Sequence, residues 1–375
     1  MSSSWQQHVV TSADLADESP QWVYVAARAF PELGTVSKAK RARKAGLLLL
    51  NGQPQVPTLT RAALNDVLAY CSPQPPQTAG TQDINDREAQ TWLKVCKTQG
   101  LRIVYECDNV AVVVKPVGIH VKGRGKRTVE RALPLLLQRQ TVVADDFVLP
   151  VPHAVHRLDY RVGGLLLVAK TRKMEVELSA QLERHSVMKQ YRAILVGKVD
   201  KTKSVHVDTG TATANLQPTV LPKALQEVRH ELQFLDDPID GKPCLTAMRV
   251  VSTTRSARYD WITTVDLWPL TGRKHQLRIH TARICHPIVG DDLYHDLQNV
   301  VREDESCKLI AEGGEPQCEV VRGMGLFLFS VGVAFDDTTG NRRNFCIAEP
   351  NKFARFRHFC DLNWDKQAAR QRNVG

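Results

Sequence analysis

The sequence predicts an α+β protein with a largely antiparallel sheet, and three observations support this prediction. Met174, Leu178 and Leu182 repeat every four positions after Thr171, which predicts one clear helix with a threonine cap. Few other segments alternate between strand and helix patterns, so parallel βαβ units are not favoured. Short apolar segments typical of strands recur along the chain, at 103–106, 110–114, 165–169, 191–196, 261–267 and 326–335.

Composition and charge indicate an ordinary globular protein with a preference for polyanions. The 375 residues are 43% apolar and 24% charged, and lysine plus arginine exceed aspartate plus glutamate by 50 to 40. No apolar segment approaches the length of a membrane-spanning helix, and the N-terminus does not look like a signal peptide. The nine cysteines form no CxxC pair, so we expect reduced thiols. An intracellular, cytoplasmic location is expected, with nuclear and organellar locations left open.

The composition changes along the chain in a way that predicts four parts. The first residues are polar, and a later segment rich in Pro, Gln and Thr has the composition of a linker. Residues 200–240 and 298–322 are polar and irregular, which favours surface insertions in the larger domain. The four parts are a disordered tail (1–20), a compact module (21–70), a linker (71–98) and the larger domain (99–365).

The compact module contains a strongly basic segment, Ser37-Lys-Ala-Lys-Arg-Ala-Arg-Lys-Ala-Gly46. We expect Ser37 to cap a short helix and Gly46 to end it, before a strand and a tight turn at Asn51-Gly52. This order of helix, strand and turn is similar to the S4-type RNA-binding module, and the resemblance implies that the helix binds RNA. A solvated surface helix is the alternative. The cations assigned to RNA binding are Lys38, Arg41 and Lys44, and Lys40 and Arg43 lie beside them.

One carboxylate is conspicuous in the larger domain. Asp159 lies between Arg157 and Arg161, just before the apolar run Leu165–Ala169. Neighbouring cations favour the charged form of a carboxylate, and a loop on a buried strand holds a catalytic group still. For this segment alone, a buried structural ion pair is the alternative interpretation.

A second segment rich in cations is Leu270-Thr-Gly-Arg-Lys-His-Gln-Leu-Arg-Ile-His280. An extended backbone would place Arg278 and His280 on one side, whereas a helix would group them differently. No metal site is expected, because His275 and His280 are five residues apart and no HExxH motif is present. A cation placed against Asp159 would be more useful chemistry.

Together these motifs resemble the RluA-type pseudouridine synthases, which isomerise uridine within RNA. That family has an early KPxG, then HRLD, Lys-x-Tyr and a GRxHQxRxH…HPIxGDxxY block. This chain has them in the same order, at Lys115–Gly118, His156–Asp159, Lys189–Tyr191, Gly272–His280 and His286–Tyr294. The resemblance covers roughly residues 100–350. Two departures are that Val162-Gly163-Gly164 replaces the usual Thr-Ser-Gly, and that the aromatic Tyr160 follows the aspartate.

The resemblance implies an essential aspartate and no cofactor, because an isomerisation involves no redox change. Asp159 would either attack C1′ or remove a ribose proton, and the sequence leaves both routes open. Tyr191 would pack beneath the uracil, and Arg278 would pair with Asp159. Arg157 would stand near the space left by the flipped uridine. Further substrate contacts are assigned to Lys115, Arg273 and His275.

Two other functions are weighed against this one. A glycoside hydrolase also breaks a bond at C1′, but it normally needs two placed carboxylates, for which Asp291 and Asp292 are the spare candidates. A catalytically silent RNA-binding protein would keep the fold, but the intact set of Asp159, Tyr191 and Arg278 argues against silence. RNA is the expected partner, with ribosomal and transfer RNA favoured over messenger RNA. We expect a monomer with no membrane contact and no obligate protein partner.

Overall fold

The computed structural model describes most of the chain, in two units that each have an apolar core. The first unit is Met1–Asp83 and the second is Ile84–Gly375. The described residues are 5–15, 20–54, 56–71, 79–123, 125, 127–138, 148–200, 222–295 and 324–372.

The first unit contains a small antiparallel sheet and two helices. The sheet has the strand order β1-β3-β2, and its core includes the fully buried Trp22, Leu48 and Leu68. The elements are β1 (Trp5–Val9), α1 (Trp22–Ala29), α2 (Val36–Lys44), β2 (Leu48–Leu50) and β3 (Val67–Cys71).

The ends of α2 follow mostly local signals. The cap is Thr35 and not Ser37 as predicted, because the Thr35 hydroxyl oxygen accepts a hydrogen bond from Lys38 N at 3.3 Å. Gly46 stops the helix as predicted, with a left-handed φ of 70°. Asn51 and Gly52 also have positive φ values, 51° and 78°, as the predicted tight turn requires.

Two predicted boundaries need correction. Trp5–Val9 were expected in a disordered tail, but they form β1 because their backbone pairs with β3 along its full length. Most of the expected linker is helical, since α3 spans Ala79–Thr98. Leu93 and Cys96 near the end of α3 are buried in the apolar core of the second unit, and this packing favours a helix over a linker.

The second unit is built on a ten-stranded sheet. Its main order is β4-β5-β7-β12-β8-β11-β10-β9, with β6 beside β7 and β13 beside β12. Among the described strands, every pair is antiparallel except β7 with β12, so the predicted α+β class is confirmed. The strands are β4 (Arg102–Glu106), β5 (Val110–Lys115), β6 (Val148–Ala154), β7 (Gly163–Thr171), β8 (Met188–Val196), β9 (Leu232–Leu235), β10 (Thr246–Ser256), β11 (Asp260–Pro269), β12 (Leu328–Asp336) and β13 (Arg342–Cys346).

Short helices and one long C-terminal helix accompany this sheet. The predicted cap at Thr171 is present, because its hydroxyl oxygen accepts a hydrogen bond from Met174 N at 3.4 Å. The expected insertion at 200–240 is wrong at its C-terminal end, where β9 pairs with β10; residues 201–221 and all of 298–322 lie outside the described residues. The helices are α4 (Val129–Leu136), α5 (Arg172–Glu183), α6 (Lys223–Gln226), α7 (Gln276–Arg283) and α8 (Asn351–Arg372), with a 3₁₀ turn at Arg229–Glu231.

Thiols and membrane spans can be assessed for the described part of the chain only. Seven cysteines lie in it, and four of these are buried (Cys71, Cys96, Cys244 and Cys360). None of its helices has the length and apolar character needed to cross a membrane.

Candidate active site

Asp159 lies in a tight turn between β6 and β7. Its backbone carbonyl oxygen accepts a hydrogen bond from Val162 N at 3.0 Å, which closes a β-turn over residues 159–162. Leu158 and Val162 are buried on either side of this Asp159 turn, whereas the Asp159 side chain is 33% exposed. The carboxylate is therefore accessible but attached to an anchored backbone.

The segment that begins at Lys115 holds the Asp159 turn from one side. Lys115 Nζ donates to the carbonyl oxygens of Val162 at 2.7 Å and Pro116 at 2.9 Å. Burial lowers the pKa of Lys115 to about 8, against the opposing influence of the Asp159 charge. Lys115 was expected to contact RNA, but its side chain is entirely inside the protein and bonded to backbone. Its contribution to the site is therefore structural.

The loop after α7 holds the turn from the other side. The Arg161 guanidinium forms an ion pair with Asp292 and donates a hydrogen bond to Gly290 O at 3.2 Å. Gly290 has a φ of 77°, and a Cβ there would lie 2.0 Å from Gly325 O, so only glycine fits this position. The two motif segments are thus joined through one arginine.

Close approach of two strands explains the two glycines at the start of β7, Gly163 and Gly164. A Cβ on Gly164 would lie 2.1 Å from Ser330 O on β12, and the φ of Gly164 is 116°. A Cβ on Gly163 would lie 2.8 Å from the Phe329 ring. β7 therefore begins in direct contact with β12 immediately after the Asp159 turn, and β12 in turn pairs with β8, which carries Tyr191.

Arg278 lies on a helix and pairs with a different carboxylate from the one predicted. Its side chain is 3% exposed on α7, and the guanidinium donates from Nε to Asp291 Oδ2 at 2.7 Å and from Nη2 to Asp291 Oδ1 at 2.6 Å. Burial alone would lower the pKa of Arg278, but hydrogen bonds and charge from Asp291 raise it, with a smaller contribution from Asp159. The expected Arg278–Asp159 ion pair is wrong, because Nε and Nη2 of the Arg278 guanidinium both donate to Asp291.

His275 is the side chain that approaches Asp159 instead. Its Nε2 lies 3.6 Å from Asp159 Oδ2, and its Nδ1 lies 2.9 Å from the Tyr294 hydroxyl. The residue precedes α7 with a left-handed φ of 56°, which is unusual for a residue with a Cβ. Burial lowers the pKa of His275, although the Asp159 charge opposes the shift. A mostly neutral imidazole therefore faces the carboxylate at neutral pH.

Tyr191 lies in the middle of the sheet near this carboxylate. It lies on β8, where it pairs with Ser330 of β12 on one side and with Leu267 of β11 on the other, and its side chain is buried. Burial raises its pKa, the charge of Asp159 raises it further, and a hydrogen bond with Ser330 opposes this shift. The hydroxyl therefore keeps its proton within electrostatic reach of Asp159.

The remaining predicted site residues are on the surface. Arg157 is exposed two positions before Asp159. Arg273 is exposed too, but its guanidinium donates to Pro243 O at 3.1 and 3.2 Å. Three cations belong to the first unit and are exposed on α2: Lys38, Arg41 and Lys44.

Sequence reasoning did not assign the partners that surround the predicted residues. Asp291, Asp292, Tyr294 and Arg161 form the contacts described above, and the first three lie in or beside the GDxxY motif. Asp291 is buried in its bidentate pair, so it is not available as the second carboxylate of a glycoside hydrolase. Within the described residues, no cluster of three or more His, Cys, Asp or Glu side chains has the arrangement of a metal site.

Comparisons with known proteins give a consistent family. A family model described as RNA pseudouridylate synthase matches residues 109–283. The dual-specificity RNA pseudouridine synthase RluA of Vibrio vulnificus is 32% identical over 193 residues, which cover 51% of this chain and 68% of that protein. The ribosomal large subunit pseudouridine synthase D of Xanthomonas campestris is 30% identical over 271 residues, 72% of this chain and 70% of that protein.

Other matches cover different shares of the proteins concerned. For the ribosomal large subunit pseudouridine synthase D of Pasteurella multocida, 33% identical, the match spans 52% of this chain and 52% of that protein. A solved structure of human RNA pseudouridylate synthase domain containing 4 is 21% identical, with a TM-score of 0.48, and the match covers 72% of this chain and 95% of that one. The chain thus spans between about half and 70% of the length of these curated relatives.

Proposed function

The chain belongs to the RluA-type RNA pseudouridine synthases, enzymes that isomerise uridine to pseudouridine in RNA, and we propose that Asp159 is its essential carboxylate. The observation that carries this proposal is the Asp159 turn itself. An accessible carboxylate sits on a backbone that is anchored to two separate motif segments, to one by Lys115 and to the other by the contacts of Arg161 with Gly290 and Asp292. Such anchoring holds a reacting group in place without requiring reorganisation during the reaction.

In the proposed reaction the bond between uracil N1 and C1′ breaks, the base turns, and C5 becomes bonded to C1′. C5 then loses its proton and N1 takes one up, so that the product is an isomer of the substrate. Asp159 either attacks C1′ or removes a ribose proton, and each route makes the carboxylate indispensable. Tyr191 keeps its proton, so we assign it to packing against the uracil and to hydrogen-bond donation during the rearrangement. The exposed Arg157 is assigned to the space that the flipped uridine leaves in the RNA.

We assign Arg278 an indirect effect on Asp159 through two aromatic side chains. The Arg278 guanidinium lies 5.1 Å from the centroid of the Tyr294 ring, and the Tyr294 hydroxyl meets His275 Nδ1. Burial raises the pKa of Tyr294, so its hydroxyl retains a proton to donate to that nitrogen. His275 then carries its own proton on Nε2 and directs it at Asp159. In this arrangement His275 orients the carboxylate, and Arg278 orients His275.

The substrate is proposed to be ribosomal or transfer RNA, and the name of one group of relatives refers to the large ribosomal subunit. Exposed cations on α2, together with Arg273, are assigned to phosphate contacts, which are the usual source of affinity for nucleic acids. The S4-like assignment of the first unit is supported by the order of the basic helix α2, the strand β2 and the Asn51-Gly52 turn. We further propose that the protein acts as a monomer inside the cell.

Replacement of Asp159 by asparagine tests the catalytic assignment. We expect single-turnover pseudouridine formation to fall on the order of a thousandfold or more, because no other group supplies the carboxylate. RNA affinity should stay near the wild-type value, since phosphate contacts persist when one charge is neutralised. Asp260→Asn makes the same chemical change at an exposed residue that pairs with Arg255, and it should retain wild-type activity.

The substrates for this test come from mapping. Pseudouridines in total RNA from cells with and without the gene identify the target, and a short transcript around that site serves in the kinetic measurements. A near wild-type rate for Asp159→Asn would remove the carboxylate from the mechanism.

A further inference from the structure

Two exposed rings lie beside Asp159 and have no place in the reaction described so far. The centroids of Tyr160 and His120 are 4.7 Å apart, with a tilt of 37° between the ring planes. Tyr160 is 50% exposed, and His120 is exposed as well. Because Tyr160 directly follows Asp159 in the chain, its ring is carried by the Asp159 turn itself.

The backbone that carries each ring is held by a hydrogen bond, and one of these bonds joins the two segments. Tyr160 O accepts a hydrogen bond from Gly118 N at 2.8 Å, within the turn that Val162 N closes. His120 O accepts a hydrogen bond from Val129 N at 2.9 Å, at the start of α4. Because both backbones are already ordered, a ligand that stacks on the rings loses little conformational entropy in the protein.

We propose that the ring pair of Tyr160 and His120 stacks on the nucleobase that neighbours the target uridine in the RNA. This inference rests on the proposed function and adds a second contact site to it. A flipped uridine leaves its neighbour without a stacking partner, and aromatic side chains are the usual replacement in single-stranded RNA recognition. The exposed cation Arg157, assigned to the space that the flipped uridine leaves, lies on the other side of Asp159 in the chain, so the two proposed RNA contacts flank the carboxylate.

Stacking accepts any base, because every base has a π face. The ring pair therefore contributes to the affinity for the substrate and does not discriminate between neighbouring bases. Removal of the ring should weaken substrate binding and leave the chemical step nearly intact. An orientation effect on Asp159 would instead reduce the chemical step.

The test combines a side-chain change with a matching change in the RNA. Tyr160→Leu keeps apolar bulk and removes the ring, whereas Tyr160→Phe keeps the ring and serves as the control. Each protein is measured on three versions of the target oligonucleotide: unmodified, abasic at the 5′ neighbour, and abasic at the 3′ neighbour. Dissociation constants, KM and kcat are determined for each combination, and thermal unfolding reports whether the variants are folded.

For Tyr160→Leu on the unmodified RNA we expect KM and the dissociation constant to rise about tenfold, with kcat within about twofold of wild type. Tyr160→Phe should match wild type. One of the two abasic substrates should weaken wild-type binding about tenfold, and on that substrate Tyr160→Leu should cause no further loss.

Three results would overturn the inference. The first is that Tyr160→Leu binds unmodified RNA as tightly as the wild-type protein does. The second is that the wild-type protein binds both abasic substrates as tightly as unmodified RNA. The third is that Tyr160→Leu weakens binding to both abasic substrates by the same factor as binding to unmodified RNA. If Tyr160→Leu is unfolded, the affinity of the wild-type protein for the two abasic substrates still tests the inference. Failure of the wild-type protein to form any pseudouridine would instead contradict the proposed function, while the dissociation constants would still test the ring pair.

Discussion

The basic helix α2 and the Asp159 site use positive charge in opposite ways. On α2, Lys38, Lys40, Arg41 and Lys44 are exposed, and only Arg43 among its five cations is partly buried, with Nη1 donating to Val56 O at 2.8 Å. At the Asp159 site two cations, Lys115 and Arg278, are instead enclosed. Exposed cations are interchangeable and screened by salt, whereas an enclosed cation acts through one specific geometry.

This difference sets the size of the effects expected from substitutions. An exposed charge contributes little by itself, and a group of them contributes through the number of phosphates neutralised. A buried ion pair that loses one partner leaves an uncompensated charge, which costs about 3–5 kcal/mol. Changes at the enclosed cations should therefore be larger and less additive than changes on α2.

The largest effect is expected at Arg278. Arg278→Met should lower the free energy of unfolding by about 3–5 kcal/mol, because Asp291 is left buried without its partner, and turnover should fall much more than RNA affinity. Arg278→Lys restores the charge but not the planar fork, so partial recovery is expected. Urea unfolding and single-turnover kinetics on the same preparations measure the two effects.

A double variant separates stability from catalysis at this pair. Asp291→Asn removes the unpaired charge but keeps an oxygen for the backbone N–H groups of Leu293 and Tyr294, which lie 3.0 and 3.1 Å from Asp291 Oδ1. In combination with Arg278→Met it should restore much of the stability and little of the turnover. Recovery of both would mean that Arg278 only neutralises Asp291 and has no effect on Asp159.

An intermediate effect is expected on α2. Changing Lys38, Lys40, Arg41 and Lys44 together to glutamine should weaken RNA binding and make its salt dependence shallower. For single-stranded RNA the logarithmic slope should decrease by about 0.7 for each phosphate that the variant no longer neutralises. Turnover at saturating RNA should not change. The measurement is the dissociation constant at several salt concentrations.

Arg43→Gln is the matched control for that experiment. Its guanidinium is bonded to Val56 O, so the substitution should lower the stability of the protein and leave the salt slope unchanged. An unchanged slope in the fourfold variant would make α2 a solvated surface helix with no part in RNA binding.

The sequence was informative where structure depends on neighbouring residues. The Thr171 cap, the stop at Gly46 and the Asn51-Gly52 turn each depend on one local hydrogen bond or one φ value, so the residue types predict them. Pairings between distant residues were not predictable in this way. Lys115 and Val162 are 47 positions apart, and their contact depends on the packing of β5 against β7.

Within the site, the motifs identified the right segments but not the contacts between them. Arg278 was expected to pair with Asp159 because the resemblance to the family implied this pair. The segment is a helix that turns the guanidinium toward Asp291, and His275 takes the place beside Asp159. Secondary structure in this short segment decides which side chain meets the carboxylate, and apolar alternation alone cannot determine it.

The smallest expected effect is a pH dependence of stability that arises in the second unit, at His156. His156 Nε2 accepts a hydrogen bond from Leu167 N at 3.1 Å, and burial lowers the pKa of His156 to about 3. In the unfolded chain the same group titrates near 6.5, so between these values the unfolded state binds the proton and the folded state does not. The stabilisation is complete above about pH 6.5 and is lost as the pH falls toward 3.

A comparison of wild type with His156→Gln isolates this contribution from the other histidines, of which His280 and His286 also have a lowered pKa because of burial. Glutamine offers an uncharged oxygen to Leu167 N and has no titration in this range. We expect wild type to lose about 1–2 kcal/mol more than His156→Gln between pH 7 and pH 5 in urea unfolding. Equal losses of stability in the two proteins would show that His156 is not held in the folded state as a neutral acceptor for Leu167 N.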